Sequence, residues 1–158
     1  MICRMDEIEK ITQGPIQWFR DWPVGDVPRS GALVYTIWDL EGSFIYVGMS
    51  GRVMQKGHKP SRTVQGPWGR LNSHAGGRRS GDQFCVYVCD RLVLPRIHNH
   101  LQEIADGELS LDAVTKDFIR ENLGFRWVEV EDGQAALDLE RQIQRGDAPC
   151  GKPFLNGV

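Results

Sequence analysis

Two short runs of β-branched and aromatic residues lie close together in the first half of the chain. The first covers Ala32 to Asp39, with the sequence ALVYTIWD, and the second covers Phe44 to Met49, with the sequence FIYVGM. Between them, the sequence LEGS supplies the glycine and polar residues that tight turns favour. Such runs on either side of a short turn are typical of a β-hairpin. The pattern therefore predicts two antiparallel strands joined by a turn.

The register of this hairpin decides which side chains share a face of the sheet. If Asp39 pairs with Phe44 across the turn, Ile37 lies opposite Tyr46. Tyr35 then becomes the diagonal neighbour of Tyr46 on the same face. The hairpin is thus predicted to bring two phenol groups together on one surface.

Periodic segments elsewhere in the chain predict further strands and helices. A short helix is expected around Pro15 to Asp21, before the hairpin. After the hairpin, the pattern predicts a helix from about Trp68 to Ala75, ended by Gly76 and Gly77, and a strand over Gln83 to Cys89. Residues Leu94 to Leu123 are predicted to be mostly helical, and they include a capped helix from Ser110 to Leu123 that Gly124 ends. A strand with the sequence FRWVEV follows. The last predicted element is a helix between Asp132 and Gly146.

The last predicted helix carries a carboxylate on its apolar stripe. Ala136, Leu139, Glu140 and Ile143 follow one another at helical spacings. A carboxylate on that stripe faces the core or a cleft, and burying a lone charge costs several kcal/mol. Glu140 is therefore expected to have a cation as its partner, either an arginine or a metal ion.

Length and composition indicate an ordinary soluble domain. The chain has 158 residues, of which 41% are hydrophobic and 25% are charged, and these values are typical of a single globular domain. No apolar run approaches the roughly 18 residues of a membrane span. The start, MICRMDEIEK, lacks the features of a secretory signal. We therefore expect a cytoplasmic protein with no membrane partner.

The cysteines give no sign of a metal site or a disulfide framework. None of Cys3, Cys85, Cys89 and Cys150 belongs to a CxxC pair. In the predicted strand, Cys85 and Cys89 share a face with Tyr87. They could form half of a metal site, but no second ligand pair with zinc spacing occurs in the sequence. Two small core residues are the favoured interpretation.

Charge is distributed unevenly along the chain. The formal net charge is only -2, yet residues 52–79 contain seven Arg or Lys and no Asp or Glu, whereas residues 103–140 contain eleven acidic residues and three basic ones. Affinity for a polyanion depends on clustered charge, so the basic segment suits a phosphate-binding surface. A solvated loop explains the composition equally well. The candidate nucleic-acid contacts are Arg52, Lys56, Lys59, Arg62, Arg78 and Arg79.

Five short pieces of sequence follow one another along the chain in a specific order. They are VYT and YVG, with ten residues between their tyrosines, followed by GRLNSH, ALDLERQI and PFLN. Each piece alone is weak, because a tyrosine in a strand usually serves packing, but their order and spacing are specific. From about Gly31 to its end, the chain resembles a GIY-YIG nuclease. The resemblance implies an α+β fold in which a small antiparallel sheet of three or four strands is flanked by helices.

The resemblance also implies a division of the chain and a set of candidate catalytic residues. Residues 1–30 are expected to form an extension that packs on the core, and residues 31–158 a nuclease-like domain with insertions at about 52–69 and 90–124. Matched position by position, the candidates are Tyr35 and Tyr46 as the motif tyrosines, Arg70 as the helix arginine, His74 one turn later, Glu140 as the metal ligand and Asn156 as the late asparagine.

Two departures from the family pattern affect the interpretation. Met49 stands where several members have a lysine, which shifts the handling of protons to His74. The loop between the YVG and GRLNSH motifs is long, as in restriction-type members, which also tend to have histidine at the position of His74. The other histidines, His58, His98 and His100, lack the rest of any metal signature and are assigned no role.

The chemistry that the resemblance implies is attack of water on a phosphodiester, leaving a 5′-phosphate and a 3′-hydroxyl. Glu140 is expected to hold one Mg²⁺ or Mn²⁺ ion, and Arg70 to bind a nonbridging oxygen. Tyrosine is a poor base because its free pKa is about 10, so it needs a neighbour that takes its proton. The hypothesis is that Tyr35 acts as base with His74 relaying or orienting, and that Tyr46 positions the water or the phosphate. Nearby cations are expected to favour the phenolate, and Asn156 to support Glu140 or contact the nucleic acid.

The expected substrate is nucleic acid, with double-stranded DNA favoured, and a restriction or defence role is one option. An alternative is a nucleic-acid-binding module with weak or lost catalysis. Another is a nuclease subunit that depends on a partner protein for its specificity. Cutting both strands requires two active sites, which predicts a homodimer or sequential nicking.

Overall fold

The structure is a computed structural model that describes residues 2–51 and 66–156 of the chain. Within these residues, four strands form one antiparallel sheet in the order β1, β4, β2, β3. The strands are β1 at Gln17–Trp18, β2 at Ala32–Asp39, β3 at Phe44–Ser50 and β4 at Leu123–Val130. The predicted α+β class with a small antiparallel sheet is confirmed.

Helices flank both faces of this sheet. The α-helices are α1 at Ile2–Gln13, α2 at Pro67–Gly76, α3 at Gln83–Val88, α4 at Leu101–Ala105, α5 at Leu111–Asn122 and α6 at Gly133–Gln144. Single turns of 3₁₀ or π-helix occupy Phe19–Asp21, Cys89–Val93, Leu94–Arg96 and His98–His100. Among the described residues, none of the helices is long and apolar enough to cross a membrane.

Strand β2 lies in the middle of the sheet and is buried on both faces. Leu33, Tyr35 and Ile37 belong to the core formed with α2, α3 and α5. Val34 and Trp38 point to the opposite face and pack in the core formed with α1 and α6. Because side chains alternate along a strand, Tyr35 is directed into the first of these cores.

The register of the hairpin agrees with the prediction over most of its length. Ile37 lies opposite Tyr46, and Tyr35 lies opposite Gly48, so Tyr46 is the diagonal neighbour of Tyr35. The predicted pairing of Asp39 with Phe44 is wrong, because the register shifts after Ile37 and Phe44 lies opposite Trp38. A β-bulge of this kind adds a residue to one strand and turns the following side chains.

The predicted strand at residues 83–89 is wrong, because Gln83–Val88 forms helix α3. A short apolar segment fits either period, so its sequence alone does not separate a strand from a buried helix. The deciding residue is Asp82, whose side chain accepts a hydrogen bond from the backbone N–H of Cys85 and so caps the helix. Phe84, Cys85 and Val88 are buried at helical spacing.

The prediction for the start of the chain is also wrong. Instead of a helix at residues 15–21, Gln17 and Trp18 pair with Phe125 and Gly124 as the edge strand β1, and a single 3₁₀ turn follows. Helix α1 was not predicted at all. Gly124, expected to end a helix, lies within β4, and a Cβ there would overlap the Trp18 ring and the Gln17 carbonyl.

Helices α2, α5 and α6 lie where the sequence predicts them. Ser110 and Asp132 cap α5 and α6, with side-chain oxygens that accept from the N–H groups of Ala113 and Ala135. Helix α5 lies within residues 90–124, which the resemblance predicts to be an insertion, and it packs on the end of α2. The Nε of Arg120 donates to the Ala75 carbonyl at 3.0 Å. Helix α5 therefore supports the helix that carries Arg70 and His74.

Candidate active site

Four of the predicted catalytic residues line one pocket of about 220 Å³. They come from four separate elements: Tyr35 from β2, Tyr46 from β3, Arg70 from α2 and Glu140 from α6. Gly48, Met49 and Leu137 complete the lining. Residues more than 100 positions apart in the chain thus meet at one place.

Local structure explains why these side chains converge. The hairpin register places the rings of Tyr35 and Tyr46 with their centroids 6.4 Å apart. Helix α6 buries Ala136, Leu139 and Ile143 against the opposite face of the sheet. Strand β3 lies at the edge of the sheet opposite to β1. Glu140 on α6 therefore reaches the pocket beside β3, and its side chain is only half-buried.

Tyr35 is joined to His74 by a buried hydrogen bond. The Tyr35 hydroxyl oxygen lies 2.6 Å from Nε2 of His74. Tyr35 is 1% exposed and His74 is 2% exposed, so little of the phenol reaches the pocket and the imidazole lies behind it. The Phe84 ring packs against the His74 ring, with their centroids 4.6 Å apart.

A residue that the sequence interpretation missed completes this chain of groups. Asp82 accepts a hydrogen bond from His74, with Oδ2 at 2.7 Å from Nδ1. The same oxygen accepts from the Ser73 hydroxyl at 2.6 Å. The signal was present in the sequence RRSGDQF, where Asp82 follows a glycine and begins an apolar segment, as an N-cap does. Assignment of residues 83–89 to a strand concealed it.

Both phenols are protonated in this environment, because Arg70 favours the phenolate of Tyr35 by less than burial disfavours it. Burial, followed by the negative charges of Tyr46, Asp82 and Glu140, raises the pKa of Tyr35 well above its usual value. Arg70 lowers that pKa by less than these effects raise it. Burial likewise raises the pKa of Tyr46. A phenolate therefore needs a group that takes the proton during the reaction.

His74 is neutral near pH 7 and can take that proton. Burial lowers the pKa of His74 below its usual value, and the hydrogen bond to Asp82 offsets only part of this shift. Burial by itself raises the pKa of the Asp82 carboxyl group. The hydrogen bonds from His74, Ser73 and the Cys85 backbone outweigh this effect and lower the pKa of Asp82 to about 2. The pair is thus a neutral imidazole beside an ionised carboxylate.

Gly48 has a packing role that the sequence did not indicate. In the structure the Tyr35 ring lies directly against Gly48, and a Cβ at this position would overlap the Tyr35 hydroxyl and its ring carbon. The glycine therefore makes room for Tyr35 to reach His74.

Gly48→Ala is expected to destabilise the protein by about 1–3 kcal/mol, because the added methyl group displaces the Tyr35 ring or strand β3. The measurement is the free energy of unfolding from urea titration of both proteins. Gly76→Ala is the matched control, since nothing lies within 4 Å of a Cβ there, and it is expected to be neutral or stabilising. Equal stability of Gly48→Ala and the unmodified protein contradicts the packing role.

The side chain of Asn156 forms hydrogen bonds with the backbone of strand β3. Its side-chain oxygen accepts from the Val47 N–H at 2.7 Å, and its amide donates to the Val47 carbonyl at 2.9 Å. The preceding Leu155 N–H bonds the Ile45 carbonyl at 2.8 Å. These bonds fix the segment that carries Tyr46 and Gly48. The predicted contacts of Asn156 to Glu140 or to nucleic acid remain predictions.

The donor atoms of the pocket are compatible with a hard divalent cation. The lining supplies the Glu140 carboxylate, a type of ligand that Mg²⁺ and Mn²⁺ prefer. Mg²⁺ usually keeps several waters and needs only one or two carboxylates. Over the described residues, no three His, Cys, Asp or Glu side chains form a metal-binding group. Cys85 on α3 and Cys89 in the π-helical turn that follows are buried thiols, in agreement with a core role.

The basic residues are only partly placed by the structure. Arg52, Lys56, Lys59 and Arg62 lie outside the described residues. Arg78 is exposed just after α2. The Nε of Arg79 donates to Asp112 at 2.8 Å, and both side chains are more than a third exposed. A role of Arg78 and Arg79 in nucleic-acid binding remains a prediction.

Comparison of the chain with protein-family models, with curated proteins and with solved structures finds no match.

Proposed function

We propose that the chain is a metal-dependent endonuclease that hydrolyses phosphodiester bonds, with double-stranded DNA as the favoured substrate. The observation that carries the proposal is the convergence of Tyr35, Tyr46, Arg70 and Glu140 on one pocket. The resemblance to GIY-YIG motifs points to these residues from the sequence alone, independently of where the fold places them. A structural role for each one separately would not require them to share a pocket.

The chain's own residues account for water activation. A water in the pocket gives a proton to the Tyr35 oxygen while Tyr35 gives its own proton to Nε2 of His74, 2.6 Å away. The O–H bond of water and that of Tyr35 break, and an O–H bond on Tyr35 and an N–H bond on His74 form. Asp82 stabilises the resulting imidazolium through its bond to Nδ1. The activated oxygen attacks phosphorus, the bond to the 3′-oxygen breaks, and the departing 3′-oxygen takes a proton from solvent water to become the 3′-hydroxyl.

Two groups of the pocket, Arg70 and a metal ion held by Glu140, would neutralise negative charge on the phosphate. Arg70 is permanently charged and offers a planar fork of donors to a nonbridging oxygen. Glu140 is the residue that would hold Mg²⁺ or Mn²⁺, which when bound stabilises negative charge on the phosphate oxygens. Tyr46 lines the same pocket, with its ring centroid 6.4 Å from that of Tyr35, and its hydroxyl can orient the water or the phosphate.

The proposal predicts that the purified chain nicks supercoiled plasmid in the presence of Mg²⁺ and that EDTA stops the reaction. The measurement is conversion of supercoiled to relaxed or linear DNA on an agarose gel. An added Mn²⁺ arm tests the second metal. Binding of DNA without nicking in either metal supports the binding-module alternative and contradicts the proposal. Nicking that appears only with a cellular fraction supports the partner-dependent alternative.

A further inference from the structure

Asp82 makes three hydrogen bonds that fix the orientation of its carboxylate. Oδ1 accepts from the Cys85 backbone N–H at 3.2 Å, and this bond caps α3. Oδ2 accepts from the Ser73 hydroxyl at 2.6 Å and from Nδ1 of His74 at 2.7 Å. The residue is 4% exposed. Oδ1 therefore caps helix α3, and Oδ2 binds the His74 imidazole.

These bonds determine which nitrogen of His74 carries the proton. An ionised carboxylate can only accept hydrogen bonds, so Nδ1 must be the protonated nitrogen. In a neutral imidazole, Nε2 then has a lone pair and accepts. The Tyr35 hydroxyl, 2.6 Å from Nε2, must be the donor in their bond. The lone pairs of the phenol oxygen stay available for a group in the pocket.

We infer that Asp82 is a positioning residue that sets the direction of the Tyr35–His74 hydrogen bond, so that Tyr35 presents a proton acceptor to the pocket. The catalytic consequence rests on the proposed function. If the phenol donated its hydrogen bond into the pocket, it would bind the oxygen of a water molecule. It could not then accept a proton from that water. With the observed arrangement, Tyr35 accepts from water while it donates to His74.

The capping bond makes Asp82→Asn a sharp test of this inference. The Cys85 N–H needs an acceptor, so the amide oxygen of the asparagine takes the place of Oδ1. The amide nitrogen then takes the place of Oδ2 and donates to Nδ1 of His74. The imidazole proton is forced onto Nε2, which donates to the Tyr35 oxygen. A single atom change therefore reverses the hydrogen bond while the helix cap is preserved.

The test is nuclear magnetic resonance of the imidazole nitrogens in protein labelled with ¹⁵N-histidine, near pH 7. The His74 signals are assigned by their loss in His74→Gln. We expect the Nδ1–H tautomer in the unmodified protein and the Nε2–H tautomer in Asp82→Asn. Ser73→Ala keeps the carboxylate and is expected to keep the Nδ1–H tautomer. Asp132→Asn, which alters the equivalent cap of α6, is the matched control and is expected to leave His74 unchanged.

Cleavage kinetics give the second measurement. Asp82→Asn is expected to lower kcat by about 10²-fold or more with little change in KM, as for loss of general base catalysis, whereas Asp132→Asn keeps the unmodified rate. An Nε2–H tautomer in the unmodified protein overturns the inference, whatever the cleavage assay shows. An unchanged tautomer in folded Asp82→Asn also overturns it. Predicted tautomers in a protein that cleaves no nucleic acid support the direction of the bond and contradict the proposed function instead.

Discussion

Replacement of Tyr35 by phenylalanine is expected to slow cleavage by about 10²–10⁴-fold, the range typical of general acid–base catalysis. The ring keeps its place against Gly48, but the hydroxyl that joins the pocket to His74 is lost. Water then has no phenol oxygen to accept its proton. The measurement is the single-turnover nicking rate with saturating enzyme and Mg²⁺.

Two controls make the result for Tyr35→Phe interpretable. Tyr87→Phe removes the hydroxyl of the remaining tyrosine, which is half-buried on α3 and does not line the pocket, and it is expected to cleave at the unmodified rate. Because Tyr35→Phe leaves the buried Nε2 without its donor, a loss of about 1–3 kcal/mol in stability is expected. Rates are therefore compared at a temperature at which circular dichroism shows both variants folded. Cleavage by Tyr35→Phe at the unmodified rate removes Tyr35 from the mechanism.

Replacement of Glu140 by glutamine is expected to reduce metal-dependent cleavage by about 10³-fold or more, since a divalent ion supplies several kcal/mol of transition-state stabilisation. Glutamine keeps the size of the side chain on α6 but removes the charge that would hold Mg²⁺ or Mn²⁺ in the pocket. The measurement is the nicking rate as a function of Mg²⁺ concentration. Thermal unfolding with and without Mn²⁺ gives a second readout that does not depend on DNA, and the variant is expected to lose any stabilisation by the metal.

Asp138→Asn is the matched control for Glu140→Gln. Asp138 lies on the same helix, is exposed, and accepts a hydrogen bond from Gln134 at 2.9 Å. Its loss of charge is expected to leave the Mg²⁺ dependence unchanged. A Glu140→Gln protein with the unmodified Mg²⁺ dependence shows that the metal is held elsewhere, and the assignment of the pocket then fails.

The features that the sequence predicts well are those set by local pattern. The β-branched and aromatic runs of β2 and β3 and the LEGS turn between them predict a hairpin, and they place Ile37 opposite Tyr46. The capping residues Ser110 and Asp132 locate the starts of α5 and α6, and glycines locate the ends of α2 and α6 to within a few residues. Once Tyr35 and Tyr46 share a face, the helix that follows the hairpin is close enough to deliver Arg70 and His74. The Tyr35 hydroxyl lies 2.6 Å from Nε2 of His74, as a relaying or orienting role of His74 requires.

The features that the sequence does not predict depend on contacts between segments. Gln17 and Trp18 form a strand only because β4 offers them a partner, so their own pattern does not indicate one. The segment after Asp82 is too short for its period to separate strand from helix, and the wrong choice concealed the carboxylate that orients His74. The need for glycine at position 48 becomes visible only when the Tyr35 ring is placed against it.

The most direct test of the central claim is cleavage in water enriched in ¹⁸O. Plasmid DNA and matched single-stranded and duplex oligonucleotides of random sequence are digested with Mg²⁺, and the product ends are analysed by mass spectrometry. If water activated at Tyr35 attacks phosphorus and the 3′-oxygen leaves, ¹⁸O is found on a 5′-phosphate and the other end is an unlabelled 3′-hydroxyl. Label on a 3′-phosphate, or no cleavage of any of these substrates by the folded protein, contradicts the account.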